Sequence, residues 1–426
     1  MYKRILLIVG IDGLIKGMGL LIIPLYLFLM PKQEFGEFGY YFSAIGFLVP
    51  IIILGLYVTQ IKEFSATNDL QKKKVIFSST MLLVGGFTGL FFLIISLTGL
   101  GQFCFESVFG LQKNATYKYY AFVMLIYSGT LNLALYSHIM SLKSGKALAW
   151  FNGLRFLFAN IAPLGCLFIG LGDFDTSLER LIGIAIGESS FCIGILYWYG
   201  RDYCTWKIDK NFLHRAIQTG LVITPGAIAC LFGSMSDRYF LGTYHGMNQL
   251  AEYNLAMQFI SPAQMIITSI QTVWTPHAFS IEGNRNAYDQ SLRFMWKTLA
   301  VMTGIMCGVC ICVLLGKRFH IIPVNYLDVE RLVPLLAVSA LASALVNLPN
   351  LLLVRFDRAS SVSFISWGGA ILSLTAGIFI TKPFGYYGAS ISAIVIQIFV
   401  LLISWHIAKK CLNKCAQENT VNVFSS

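Results

Sequence analysis

The stretch Ser236–Gln258, SDRYFLGTYHGMNQLAEYNLAMQ, lies between two long apolar regions in the second half of the chain. Asp237 and Arg238 interrupt the first apolar region, and Gly242 and Gly246 follow them. Glycine favours turns because it adopts backbone conformations that other residues avoid. We therefore expect one membrane helix to end here and the next to begin, joined by a short turn.

The composition is that of a protein built for lipid. Hydrophobic residues make up 56% of the 426, charged residues only 12%, and the mean hydropathy is +0.70. Soluble domains carry about 25% charged residues. The net charge of +11 is spread between apolar segments, so it indicates membrane orientation and not a nucleic-acid partner.

A membrane helix needs about 20 apolar residues. This rule predicts an all-α integral membrane protein of about twelve transmembrane helices. The apolar run from Ile5 to Met30 is too long for a signal peptide and is taken as the first of them. The expected helices are 5–30, 36–59, 75–99, 117–141, 147–170, 178–200, 213–243, 248–276, 292–316, 328–354, 360–380 and 385–408.

Most of the 31 lysine and arginine residues fall in alternate connections, as the positive-inside rule requires of cytoplasmic loops. This alternation supports twelve helices with both termini in the cytoplasm. Lys317 and Arg318 are the pair that argues against it. The basic residues expected on the opposite side are Lys32, Lys113, Lys118, Arg180, Lys317, Arg318 and Lys382.

The two halves of the chain show a short internal repeat. Glu34–Phe38, EFGEF, is similar to Gln249–Tyr253, QLAEY. Each half would hold six helices in the same orientation, which predicts a pseudo-twofold axis along the membrane normal. The expected parts are an N-terminal six-helix lobe (1–200), a cytoplasmic linker (201–212), a C-terminal six-helix lobe (213–410) and a cytoplasmic tail (411–426).

Two motifs resemble one membrane protein family. The first is the Asp-Arg and Leu-Gly of Asp237–Gly242, followed by the Leu-Ala-x-Tyr-x-x-Ala of Leu250–Ala256. The second is FGYYGASISAIVIQ, residues Phe384–Gln397. Both are similar to motifs of the Wzx-type O-antigen and polysaccharide flippases, within the multidrug/oligosaccharidyl-lipid/polysaccharide superfamily.

The resemblance implies two lobes around a central cavity and a function in the bacterial cytoplasmic (inner) membrane. The implied activity is the flipping of a polyprenyl-pyrophosphate-linked oligosaccharide, such as an undecaprenyl pyrophosphate-linked O-antigen unit of lipopolysaccharide, by alternating access. A polysaccharide polymerase and a chain-length regulator are the implied protein partners. Family members display basic residues in the first helix to the cavity, and Lys16 is the position here that matches.

Ionisable residues inside an apolar helix cost about 2.5–3.5 kcal/mol each and mark candidate functional positions. Asp12 and Lys16 stand four apart in the first helix, either as a self-neutralising pair or as a cation displayed to a cavity. Arg155 falls about 12 Å inside the fifth helix, where it either snorkels or reads the cargo. Glu188 either pairs with Arg155 or carries a coupling proton.

Asp237 and Arg238 either cap their helix through a salt bridge or contact the cargo. The predicted substrate-binding residues are therefore Lys16, Arg155 and Arg238. Those predicted to couple or to tune charge are Asp12, Glu188 and Asp237. The coupling ion is H⁺ or Na⁺, and we expect no cofactor and no metal site.

Two other function classes stay open. A cation-coupled multidrug extruder of the same superfamily would share the helical plan but would favour acidic cavity residues. A membrane-embedded polysaccharide polymerase would need a large external loop with catalytic residues, and the chain has no such loop. We therefore predict a transporter and not an enzyme.

Overall fold

The computed structural model describes residues 17–53, 56–67, 69–110, 113–142, 144–205, 207–281, 283–356 and 358–424. Within these ranges the chain is helical, with turns between helices and no strand. Long apolar segments fold this way because a helix pairs its own backbone N–H and C=O groups where lipid offers no partners. The predicted all-α class is confirmed.

The helices are named here in chain order. Two π-helical segments, Leu82–Phe87 and Gly377–Thr381, join neighbouring α-helices into longer rods. The α-helices are α1 (Gly17–Leu29), α2 (Lys32–Ile52), α3 (Leu56–Ala66), α4 (Leu70–Met81), α5 (Thr88–Leu97), α6 (Leu100–Phe109), α7 (Ala115–Ser141), α8 (Gly145–Ile169), α9 (Thr176–Tyr203), α10 (Lys210–Ser280), α11 (Asn284–Arg318), α12 (Val329–Arg355), α13 (Ala359–Ala376) and α14 (Lys382–Phe424).

Many of these rods are membrane-spanning by length and hydropathy. Among the described residues, eight helical stretches meet both criteria. The protein is therefore a multi-pass membrane protein. The stretches are Lys32–Ile52, Leu70–Leu97, Ala115–Ser141, Lys146–Ile169, Thr176–Tyr203, Asn284–Arg318, Val329–Arg355 and Ser360–Asn413.

Two glycines break the long rods α10 and α14. Gly246 has φ 76° and ψ 178°, and Gly385 has φ 57° and ψ −140°, values that interrupt helical geometry. A side chain at Gly385 would also collide with Gln249, whose Oε1 lies 2.4 Å from where a Cβ would stand. Both breaks fall where the sequence predicts that one helix ends and another begins.

The described chain packs as two compact units. The first takes in residues from Phe28 to Ile228, and the second takes in residues 17–27 and those from Ala229 onward. The first unit has an apolar core with side chains from α3, α4, α7, α8 and α9, including Phe64, Phe77 and Phe151. In the second unit, α12 packs against α11, α13 and α14.

Lys118 ties three helices together at one end of the first unit. Its Nζ lies 2.5 Å from Oε1 of Glu37 on α2 and 2.7 Å from Oδ2 of Asp175, the N-cap residue of α9. Lys118 is only 1% exposed. The sequence predicted a basic residue that marks one side of the membrane. In the structure, two carboxylates that are remote in sequence compensate its buried charge. We call these three residues the Lys118 cluster.

In the second unit, Asp328 is the N-cap residue of α12 and is also held by side chains that are remote in sequence. Its carboxylate accepts hydrogen bonds from the hydroxyls of Tyr386 (2.6 Å) and Tyr387 (3.0 Å). The bond from Tyr386, reinforced by that from Tyr387 and by the charges of Arg331 and Lys317, holds the pKa of Asp328 below its usual value.

Candidate functional site

The predicted first-helix pair, Asp12 and Lys16, lies outside the described residues. Its proposed place near the middle of the bilayer stays a prediction. The other four candidate residues lie in helices that the structure describes, two in each unit.

In the first unit, α8 and α9 cross with their backbones in direct contact. A Cβ at Gly187 would lie 2.2 Å from the carbonyl oxygen of Phe158, and one at Gly183 would lie 2.2 Å from Cα of Pro163. Small residues allow such crossings in membrane proteins because no side chain separates the two backbones. The crossing holds Arg155 of α8 opposite Glu188 of α9.

Arg155 and Glu188 form an ion pair. Nε of Arg155 lies 3.0 Å from Oε1 and 2.9 Å from Oε2 of Glu188, and the side chains are 37% and 10% exposed. The pairing that the sequence left open is therefore formed. Among the described residues, Nη1 and Nη2 of Arg155 have no hydrogen-bond partner. Nη1 and Nη2 carry four N–H groups. While Glu188 holds Nε, these four groups are available to bind an anion.

Asn132 of α7 is a third member of this site. It was not among the residues predicted from the sequence. Its Nδ2 donates to Oε2 of Glu188 at 2.5 Å and lies 3.3 Å from the Glu188 carbonyl oxygen. Asn132 is fully buried, and its Oδ1 has no hydrogen-bond partner among the described residues. An amide inside an otherwise apolar helix was the available sequence signal. Arg155, Glu188 and Asn132 are called the Glu188 site below.

Asp237 and Arg238 lie in the second unit, on α10. Oδ2 of Asp237 accepts a hydrogen bond from the hydroxyl of Tyr253 at 2.9 Å, across the break at Gly246. Nη1 of Arg238 lies 3.0 Å from the sulfur of Met235, and its Nε has no hydrogen-bond partner among the described residues. A sulfur is a weak acceptor, so among the described residues Arg238 bonds to no strong acceptor.

The Glu188 site combines a buried carboxylate with two competing donors. An anion that binds Arg155 weakens its bond to Glu188, and a proton on Glu188 removes the charge that holds Arg155. The site can therefore exchange one charge partner for another. Such an exchange changes the charge of a buried position without making or breaking a covalent bond.

The fold is similar to that of solved membrane transporters. The chain superposes on a lipid II flippase, MurJ, in an inward closed conformation with a TM-score of 0.71 and 12% identity, covering 100% of this chain and 90% of that one. It superposes on an inward-facing multidrug resistance MATE transporter of the MOP superfamily with a TM-score of 0.67 and 11% identity, covering 98% and 96%. An outward-facing MATE transporter gives 0.59 at 11% identity, covering 97% and 96%. These TM-scores over nearly the whole chain show a shared fold.

The sequence then gives the family. Residues 1–282 match the polysaccharide biosynthesis protein family, and the chain belongs to that family. The resemblance drawn from the two motifs is thereby confirmed. No curated protein matches the chain.

Proposed function

We propose that the protein flips a polyprenyl-pyrophosphate-linked oligosaccharide from the inner to the outer leaflet of the bacterial cytoplasmic membrane, for O-antigen or another surface polysaccharide. The observation that carries this proposal is that Glu188 holds the guanidinium of Arg155 through Nε, while Nη1 and Nη2 have no hydrogen-bond partner among the described residues. Membership of the polysaccharide biosynthesis family and the fold shared with a lipid II flippase support it.

The chemistry of the cargo explains why an arginine is needed. A pyrophosphate carried unaided through about 30 Å of hydrocarbon would lose its hydration. A guanidinium replaces water with two parallel charge-assisted bonds to phosphate oxygens, while the polyprenyl tail stays in lipid. Glu188 keeps Arg155 oriented between transport events.

The proposal extends to the parts that the sequence predicts. Twelve helices in two lobes would enclose a central cavity and alternate its access, with both termini in the cytoplasm. Lys16 and Arg238 would be further cations for the cargo, and Asp12 and Asp237 would tune their charge. The lobes are 1–200 and 213–410, with a linker at 201–212 and a tail at 411–426, and the polymerase and chain-length regulator are the protein partners.

The test is movement of a fluorescent polyprenyl-pyrophosphate disaccharide across vesicles that contain only this protein. We expect transport of this probe and not of a phosphate-free analogue. A bond to a charged group contributes about 1.5–3 kcal/mol, so Arg155→Ala should slow movement by roughly 10–100-fold. Arg201→Ala, at the exposed end of α9, is the matched control. Full transport by Arg155→Ala at normal protein levels would refute the role of this residue.

A second candidate is a multidrug extruder, favoured by the buried carboxylates of Glu188 and Asp237 and by the MATE fold. Carboxylates attract organic cations. The same vesicles would then export ethidium under an ion gradient and leave the pyrophosphate probe in place, and Glu188→Gln would abolish the export.

A further inference from the structure

Several polar side chains in the first unit are buried without hydrogen-bond partners. Besides Oδ1 of Asn132, these include Oγ1 of Thr59, both amide atoms of Gln60 and both ring nitrogens of His138, as judged among the described residues. All four side chains are at most 4% exposed. A buried polar group without a partner costs about 1–3 kcal/mol. Four side chains with such groups on adjacent helices therefore need an explanation.

These residues lie at successive levels of the first unit. Glu37 of α2 meets the first turn of α7 at Lys118, and Phe64 of α3 meets its last turn at His138, so the helices run in the same direction. Gln60 stands one turn, about 6 Å, before Phe64, and Asn132 stands about 9 Å before His138. Thr59 and Gln60 therefore lie at a level between the other two.

Helix α9 runs antiparallel to α8 in sequence order, but its contacts with α7 place the same residues at the same successive levels. Asp175 meets Lys118, Glu188 meets Asn132, and Tyr203 meets His138 with a ring separation of 4.9 Å. The unpaired groups thus form a file from Glu188, in the middle of the unit, to His138, in the last turn of α7. We call Asn132, Thr59, Gln60 and His138 the polar file.

The far end of the file approaches the connection between α9 and α10. The carbonyl of Tyr203 and the backbone N–H of Thr205 both bond to the hydroxyl of Ser78, at 3.3 and 2.6 Å. The next residues include the exposed Cys204 and Lys207. His138 is therefore separated from this surface by little more than the ring of Tyr203.

Among the described residues, charged or titratable groups lie near both ends of the polar file, Glu188 and His138. Glu188 faces Arg155 from α8 and Asn132 from α7, with Cys192 one turn further along α9. His138 is surrounded by the rings of Phe64 and Phe77 and by Tyr199 and Tyr203, while Lys73 lies over the outer side of Phe64.

We propose that the polar file is a hydrated proton route between Glu188 and the α9–α10 connection, and that the proton is the coupling ion. A proton arriving on the Glu188 carboxylate breaks its bond with Nε of Arg155. The new O–H donates to Oδ1 of Asn132 after the amide turns over, which satisfies the unpaired oxygen. Arg155 is then free for an anion, and the same proton later leaves along the file.

The composition of the file favours H⁺ over Na⁺, the two ions that the sequence left open. Ring nitrogens, two amides and a hydroxyl spread over about 9 Å can relay a proton through water. Hard cations instead need several oxygen ligands gathered at one point. The proposal rests on the proposed transport function only for its link to cargo, so its test has one arm that uses cargo and one that does not.

In the first arm, the pyrophosphate probe is moved in vesicles with and without an imposed pH difference. The wild-type protein should move the probe about tenfold faster with the pH difference. Gln60→Leu and His138→Phe should lose this acceleration and should melt at the same temperature or higher, because an unpaired polar group is removed. Ser137→Ala is the control on α7, since its buried hydroxyl already bonds to the carbonyl of Leu133 at 2.8 Å.

In the second arm, Gln60→Cys on a cysteine-free background is treated with a small water-soluble thiol reagent, with Ile76→Cys as the control. Both native side chains are 0% exposed, but only Gln60 belongs to the file. We expect labelling of Gln60→Cys at least about tenfold faster than that of Ile76→Cys.

The outcomes separate the two proposals. Equal labelling of the two cysteines, equal acceleration in His138→Phe, or acceleration by a sodium gradient alone would each overturn the proton route. If the wild-type protein leaves the probe in place but Gln60→Cys is labelled selectively, the proposed cargo is wrong and the hydrated file stands.

Discussion

Glu34 and Gln249, 215 positions apart, have the same task in the two units. Oε2 of Glu34 accepts the backbone N–H of Thr176, the first residue of α9, at 2.6 Å. Oε1 of Gln249 accepts the backbone N–H of Tyr386, the first residue after the break in α14, at 3.4 Å. Both bonds use an N–H that a helix start leaves without an internal partner. The short repeat seen in the sequence thus has an equivalent structural role in each half.

The α8–α9 crossing predicts a strong dependence on one glycine. Gly187→Ala should destabilise the protein by about 1–3 kcal/mol, because the new methyl group would meet the backbone of Phe158, which cannot move aside. Gly194→Ala, on the same helix, has open space around its Cα and should be neutral or slightly stabilising. Thermal unfolding in detergent compares the two. Equal midpoints would show that the helices are not in contact at Gly187.

The Lys118 cluster predicts a large loss of stability from one substitution. Lys118→Met removes the cation and leaves Glu37 and Asp175 close together without compensation, which should cost about 3–5 kcal/mol. Lys113→Met, at an exposed position shortly before α7, should cost less than about 0.5 kcal/mol. Chemical unfolding followed by tryptophan fluorescence measures both. A small loss for Lys118→Met would mean that water compensates the two carboxylates.

The ion pair of the Glu188 site predicts an asymmetry. Arg155→Leu strands the nearly buried Glu188 and should destabilise by about 2–4 kcal/mol, whereas Glu188→Leu leaves a partly exposed arginine and should cost about 1 kcal/mol. The double variant should be more stable than Arg155→Leu alone. A double-mutant cycle of unfolding free energies gives the coupling, expected at about 1–3 kcal/mol. Additive effects would contradict the pair.

The Asp328 carboxylate predicts a pH dependence in the second unit. Its pKa in the folded protein lies below that of the unfolded chain, about 3.9, so its bonds stabilise the fold above that pH. This stabilisation is lost as the pH falls below about 4 and the carboxylate takes up a proton. Asp328→Asn should be less stable at pH 7 and should show a smaller drop in melting temperature between pH 7 and pH 3. A drop as large as that of the wild-type protein would exclude Asp328 as the source.

Local sequence patterns were sufficient to predict the helical class and the positions of two breaks between consecutive helices. Apolar runs predict helices in lipid, and Gly246 and Gly385 stand where two of the expected turns fall. The π-helical segments were not predicted, because Leu82–Phe87 has the same apolar composition as the α-helix around it. Helix existence follows from composition, whereas the hydrogen-bond register within a helix depends on its neighbours.

The candidate site shows where sequence reasoning ends. Arg155 and Glu188 were found because isolated charges in apolar helices are conspicuous. The burial of Lys118 was not predicted, since its partner Glu37 stands 81 positions away and only packing brings them together. Asn132 was missed because a single neutral amide adds little to a hydropathy profile.

The crossing at Gly183 and Gly187 has a mechanical consequence. The backbones of α8 and α9 touch at two successive turns. We therefore expect the two helices to have little freedom to slide or to separate, and to move together as one rigid body. Arg155 of α8 and Glu188 of α9 meet at the interface between these two helices. We therefore expect a displacement of α8 at Arg155 to be accompanied by α9, which begins after the Asp175 cap and ends at Tyr203.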